Sequence, residues 1–281
     1  MGGAETVEFI KKKVSSVVPE FYVAWIIAFV VDHIFDHKLS NVVMDASKGI
    51  FDLLFLRMAG LYCYSPNTVS WYLSAMFIAM AIIYPVLRRH TELYLKVISP
   101  LGFVLLAGVF CHTYESLASW NDWMGIACSG LVRGILLVLG GSCCWTLSNW
   151  MKGWKLSGAQ RGFVTVIEMV VFLIVLGAMA ILEGGITDFG LLFLFFVLVV
   201  ISTSGQSYSS EWFNNKFVYW LGEISLSVYL GHTFWKSLYI IDMKLVESIG
   251  YGATFGLYVG TVAVTAVGIW GIGKVVRKIR A

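Results

Sequence analysis

Long apolar runs recur along the chain, broken by short polar stretches. A membrane-spanning helix needs about 20 mainly apolar residues. Eight segments come near that length: roughly 19–37, 69–87, 94–111, 128–147, 163–182, 188–203, 217–240 and 252–272. A ninth run, 50–62 (I-F-D-L-L-F-L-R-M-A-G-L-Y), is too short and holds Asp52 and Arg57, so it reads as an interfacial or re-entrant helix. The expected fold is all-α: a polytopic transmembrane helical bundle of about eight spans, forming a single domain over residues 1–281. The longest segment between spans, about 38–68, is the natural lid or vestibule. Gly252, Gly256 and Gly260 recur every fourth residue on the last span and predict close helix packing there.

Composition agrees with the pattern. Of 281 residues, 58% are hydrophobic and 13% charged, against about 25% charged in an average soluble domain. The basic residues set an orientation. With the N-terminus inside, 14 of the 20 Lys and Arg fall in cytoplasmic segments, whereas the 112–127 and 183–188 loops carry acids and no Lys or Arg. Both termini are therefore expected in the cytoplasm, the even number of spans agrees, and the membrane expected is the cytoplasmic (inner) one. A net charge of +3 gives no reason to expect a nucleic-acid partner. The polar first thirteen residues do not resemble a cleavable signal peptide. The five cysteines show no metal-ligand spacing and no metal is expected. They read mainly as small packing residues, with Cys111–Cys128 a chemically allowed pair.

One predicted span is unusually polar. Residues 219–235, Y-W-L-G-E-I-S-L-S-V-Y-L-G-H-T-F-W, include Glu223, Ser225, Ser227, Tyr229 and His232. Ionisable groups are costly in a bilayer and usually face a cavity or a partner. At about 100° per residue, Ser225, Tyr229, His232 and Lys236 share one stripe, with Glu223 and Ser227 opposite. At about 1.5 Å per residue, His232 reaches the outer third of the membrane. Asp32 and His33 reach a similar depth on the first span. Trp71, Tyr72 and Ser74 enter the second from outside, and Arg133 lies near the outer end of the fourth. Together they suggest a polar chamber open to the outside. A histidine there can take and return a proton, an aspartate can orient an imidazole, and Arg133 can hold an anion or a developing oxyanion. Belt and snorkelling roles are the plain alternatives. Glu168 is isolated in sequence, with Arg161 its nearest candidate partner. No Walker loop, dinucleotide fingerprint, HExxH or GxSxG is present.

Three blocks resemble the membrane acyltransferase-3 family, in that family's order. They are F-I-K-K-K-V-S-S-V-V-P from Phe9 to Pro19, N-T-V-S-W-Y-L-S from Asn67 to Ser74, and G-E-I-S-L-S-V-Y-L-G-H ending at His232. The resemblance implies an O-acyltransferase. Such an enzyme takes an acyl group, often acetyl, from acyl-coenzyme A and places it on a hydroxyl of a carbohydrate or other exported acceptor. It implies His232 and Tyr229 as catalytic residues. Trp71, Ser74, Ser225, Arg133, Asp32 and His33 would lie on the acceptor side, and Lys13 on the cytoplasmic, donor side. It also implies that this chain corresponds to the family's spans three to ten, without the first span and its basic residue and histidine. The first block carries Ser16 where the family has its second arginine. Two other readings stay open: an inactive relative acting as a membrane binding partner, and a glycan or lipid exporter, for which no internal repeat is seen.

Overall fold

The computed structural model describes residues 2–34, 38–61 and 63–280. The end of the first predicted span, 35–37, lies outside the described residues, as does Tyr62. Nine longer helices account for most of the described chain: α1 Gly2–Asp32, α2 Leu39–Leu53, α3 Ser70–Arg89, α4 Thr91–Tyr114, α5 Ser129–Lys152, α6 Gly158–Ile181, α7 Thr187–Ser204, α8 Lys216–Lys236 and α9 Tyr251–Arg280. The fold is an all-α polytopic bundle.

Seven of these helices are long and apolar enough to cross a membrane, and α2 and α8 are not among them. The expected span at 217–240 corresponds to α8, which has the length, with 21 residues. Its Glu223, Ser225, Ser227, Tyr229 and His232 make it less apolar than the rest. Boundaries also move. The first helix starts at Gly2, well before residue 19, and runs straight through Pro19. The short polar-apolar run predicted at 50–62 instead contributes the end of α2, followed by a single 3-10 turn at Arg57–Ala59. Past α8 the chain widens into a π-helical turn, Ser237–Asp242.

The chain forms two compact units, one of residues 3–77 and 217–281, the other of residues 78–216. In the first, the core is aromatic: Phe21, Trp25, Phe55, Leu73, Phe77, Leu230 and Ile269 are buried against one another. The Phe21 and Phe55 rings lie 4.6 Å apart and Phe55 meets Phe77 edge-on at 4.9 Å. Small residues let helices approach. A Cβ on Gly49 would fall 2.5 Å from the Trp25 ring, and one on Gly273 would fall 2.7 Å from the Glu20 carboxyl carbon. By contrast, Gly252, Gly256 and Gly260 have no atom within 4 Å of where a Cβ would stand. The small-residue stripe predicted for packing is not used for it among the described residues.

In the second unit, Ile83, Tyr94 and Leu139 form the core. Gly140 gives way to the Phe196 ring. Hydroxyls inside the helices are satisfied within the unit: Tyr94 meets Ser142 at 2.8 Å, and Ser99 donates to the Leu139 carbonyl at 2.7 Å. Lipid cannot serve a polar group, so each such pairing removes a desolvation penalty. Ser157 and Gln160 close a reciprocal cap at the start of α6. All five cysteines are free thiols.

Candidate functional site

The polar residues of the first unit gather where the 63–70 segment meets α1, α2 and α8. Asp52, 1% exposed, is the hub. Its Oδ2 accepts from the Trp25 indole at 3.0 Å and from Ser65 at 2.6 Å, and its Oδ1 accepts from Ser70 at 2.7 Å. Arg57 donates to Ser70 Oγ at 3.0 Å and to the carbonyls of Asn67 and Thr68. Burial raises the Asp52 pKa, while the Ser65 and Ser70 hydroxyls, Arg57 and Trp25 pull the other way. Burial likewise lowers Arg57, opposed by Asp52. The pair is thus a buried charge couple wrapped in hydroxyls, and it rigidifies the 63–70 segment.

That segment in turn holds α8. Asn67 is fully buried. It donates to the Leu230 carbonyl at 2.8 Å and accepts from Thr233 Oγ at 3.3 Å. Tyr229 donates its phenol to the Val69 carbonyl at 3.1 Å. His232 lies in the turn between these ties. Its Nδ1 stands 2.7 Å from the Tyr229 carbonyl. A carbonyl only accepts, so in the neutral imidazole Nδ1 carries the proton and Nε2 presents a lone pair. Nε2 makes no hydrogen bond among the described residues. The Tyr229 ring packs beside the imidazole at 5.9 Å, and Tyr72 meets Tyr229 edge-on.

Beside this turn is a cavity of about 130 Å³ lined by Asp32, Ser65, Thr68, Thr233, Phe234 and Ser237, among others. It is a hydroxyl-rich pocket with a carboxylate in its lining. Hydroxyls both donate and accept, and a carboxylate accepts twice over, so the lining suits a polyhydroxylated ligand. The Asp32 carboxylate accepts from Tyr64, and burial together with this bond raises the Tyr64 pKa.

The other expected site residues take varied places. Asp32 does not orient His33. That imidazole faces the Phe29 carbonyl at 3.0 Å and Asp45 at 3.4 Å, which clamps α1 to α2. Ser74, 1% exposed, donates to the Phe55 carbonyl and accepts from the Met58 amide, so its hydroxyl secures the turn after α2. Trp71 is half-buried at the start of α3, edge-on to Tyr72. Ser225 is exposed and bonds back to the Gly222 carbonyl. Lys13 is exposed, its ammonium 5.8 Å from the Phe9 ring centre. Arg133 belongs to the second unit, where it donates to the Leu117 carbonyl. Glu168 pairs with Ser202 and Ser209, and Arg161 with Glu211. Sequence reasoning missed the network of Asp52, Arg57, Ser65, Ser70 and Trp25. The ionic pair inside a short apolar run was its visible trace.

Among the described residues no cluster of three His, Cys, Asp or Glu has a metal-binding arrangement. In comparisons with known proteins, residues 2–273 match the family model described as an acyltransferase domain, acyltransferase-3. No curated protein and no solved structure matches the chain.

Proposed function

The chain belongs to the acyltransferase-3 domain family, and on that premise we propose that it is a membrane O-acyltransferase moving an acyl group, acetyl in the simplest case, from acyl-coenzyme A to a hydroxyl of a carbohydrate or other exported acceptor. The observation that carries the reading is the 2.7 Å contact between His232 Nδ1 and the Tyr229 carbonyl, which selects the Nδ1–H tautomer of a neutral imidazole and leaves Nε2 as a base. The hydroxyl-lined cavity beside Asp32 and Thr233 supports a sugar as acceptor.

In this reading Nε2 takes the acceptor hydroxyl's proton as its oxygen attacks the thioester carbonyl. The carbon–sulfur bond breaks, and the proton passes to the departing thiolate. The Tyr229–Val69 and Asn67–Leu230 bonds keep the imidazole in place. With α8 crossing as an eighth span, the multi-pass chain would sit in the cytoplasmic membrane with both termini inside and His232 towards the outer surface. The thioester end of the donor would reach it from the cytoplasmic side, where Lys13 lies. The concentration of Lys and Arg in alternate inter-span segments supports this orientation.

The test is the O-acyl content of surface glycan in a deletion strain complemented with wild type or His232→Ala. Acylation restored only by wild type supports the enzyme. Equal acylation in all three strains would instead favour a non-catalytic binding partner.

A further inference from the structure

A second polar site lies within the other unit, around Glu168. Glu168 sits on α6, ten residues beyond its start, and is only 3% exposed. Its carboxylate is met by Ser202 from α7 and by Ser209 from the turn after it, the latter at 2.5 Å. Both donors are neutral. Among the described residues no Lys, Arg or His pairs with it, and Arg161, the cation two turns back on the same helix, is spent on Glu211 at 2.8 Å and on the Ser207 carbonyl. A buried carboxylate without a cation is costly, and hydroxyl donors offset only part of that.

The same carboxylate lines a cavity of about 410 Å³, whose other walls include Ser202, Ser210, Phe172, Leu198 and Phe213. That volume lies within the range of small-molecule pockets. The cavity has a charged end with unused acceptor lone pairs and an apolar side. Phe172 and Phe213 on its rim are about half exposed, at 47% and 54%, so the apolar side is open to a molecule arriving from the bilayer.

We propose that this cavity binds an amphiphile with a primary ammonium head and an aliphatic tail. The three ammonium protons meet Glu168 and the neighbouring serine hydroxyls, and the tail lies along Phe172, Leu198 and Phe213. An anionic head would face Glu168 with the same sign, and a neutral alcohol would leave the carboxylate charge without a counterpart. The site stands independently of the acyl-transfer reading.

The experiment places the whole protein in phosphatidylcholine nanodiscs, which contain no primary ammonium, and follows Tm during titration with dodecylamine, 1-dodecanol or dodecanoate. The amine is expected to raise Tm, with the alcohol and the acid ineffective. Glu168→Gln should need at least tenfold more amine for the same shift, and Glu211→Gln should behave as wild type. If Glu168→Gln does not fold, Phe213→Trp, which narrows the apolar side and keeps the carboxylate, should weaken the amine response instead. A parallel arm adds phosphatidylethanolamine: a rise in wild-type Tm there identifies a membrane lipid as the source of the ammonium, and no rise points to a free amine. Equal shifts with amine and alcohol, or an undiminished response in both Glu168→Gln and Phe213→Trp, would overturn the proposal.

Discussion

Asn67 donates its side-chain amide to the main-chain carbonyl of Leu230 at 2.8 Å, across 163 positions of sequence. The same side chain accepts from Thr233, so one residue grips the α8 turn on both sides of His232. Asn67→Ala should therefore loosen that turn as well as the fold. A buried hydrogen-bond partner lost without replacement costs about 1–3 kcal/mol. Stability in bicelles, read from susceptibility to proteolysis, should fall within that range. Asn67→Asp should fall further, because it turns a donor towards a carbonyl into a second acceptor.

His232 is the residue whose loss should separate catalysis from folding. His232→Gln keeps size and polarity but cannot shuttle a proton. Loss of a general base lowers kcat by about 10²–10⁴-fold, with KM for the acceptor little changed. Tyr229→Phe removes the bond to Val69, and the loss of one positioning hydrogen bond should cost less than about tenfold. Steady-state rates with acyl-coenzyme A and a saccharide acceptor check both. A Tyr229→Phe loss as large as that of His232→Gln would give the phenol a chemical role.

The helices were legible because a span must be apolar over its whole length, and that signal survives any packing. The polar α8 stood out for the reverse reason: its cost in lipid called for an explanation, and Tyr229 and His232 do carry the turn that the structure fastens. What the sequence hid was pairing. Asp32 and His33 are neighbours in sequence, yet Tyr64 takes the first and Asp45 the second. Glu168 looked matched to Arg161 by helical spacing, but serines of the next helix and turn reached it first. Periodicity tells which face a residue occupies on its own helix. It says nothing of which distant hydroxyl arrives there. The Gly252, Gly256 and Gly260 stripe failed in the same way, since spacing records that a close approach is allowed and not that it occurs.

Asp52 should make stability pH-dependent in a definite direction. Burial raises its pKa in the folded protein above the usual 3.8. The folded state then holds a proton that the unfolded state has released, so stability is highest below that window and falls as pH rises through it. Asp52→Asn removes the titration. Tm followed upward from pH 4 should decline more steeply in wild type than in the variant, whatever the offset between the two curves. Parallel curves would mean that the hydroxyls, Arg57 and Trp25 cancel the burial effect.

Glu20 and Arg277 form the ion pair that links the first helix to the last. The Glu20 carboxyl is 4% exposed and Arg277 is 40% exposed, so the glutamate depends on the arginine more than the reverse. The second carboxylate oxygen, Oε2, has no hydrogen-bond partner among the described residues. Arg277→Met should strand the carboxylate. Stranding a buried charge costs about 3–5 kcal/mol, and the exposure of Arg277 argues for the lower end. Glu20→Gln with Arg277→Met should recover most of that loss, because no uncompensated charge remains. Gly273→Ala tests the same contact sterically: its new methyl would meet the Glu20 carboxyl carbon at 2.7 Å. Overpacking of this kind costs about 1–3 kcal/mol. The Ala variant should be rescued by Glu20→Ala, which clears the space, and not by Arg277→Met, which leaves the clash in place. Rescue by neither would mean that the backbone of the last helix has shifted, and a double-mutant cycle of these positions in nanodiscs measures which holds.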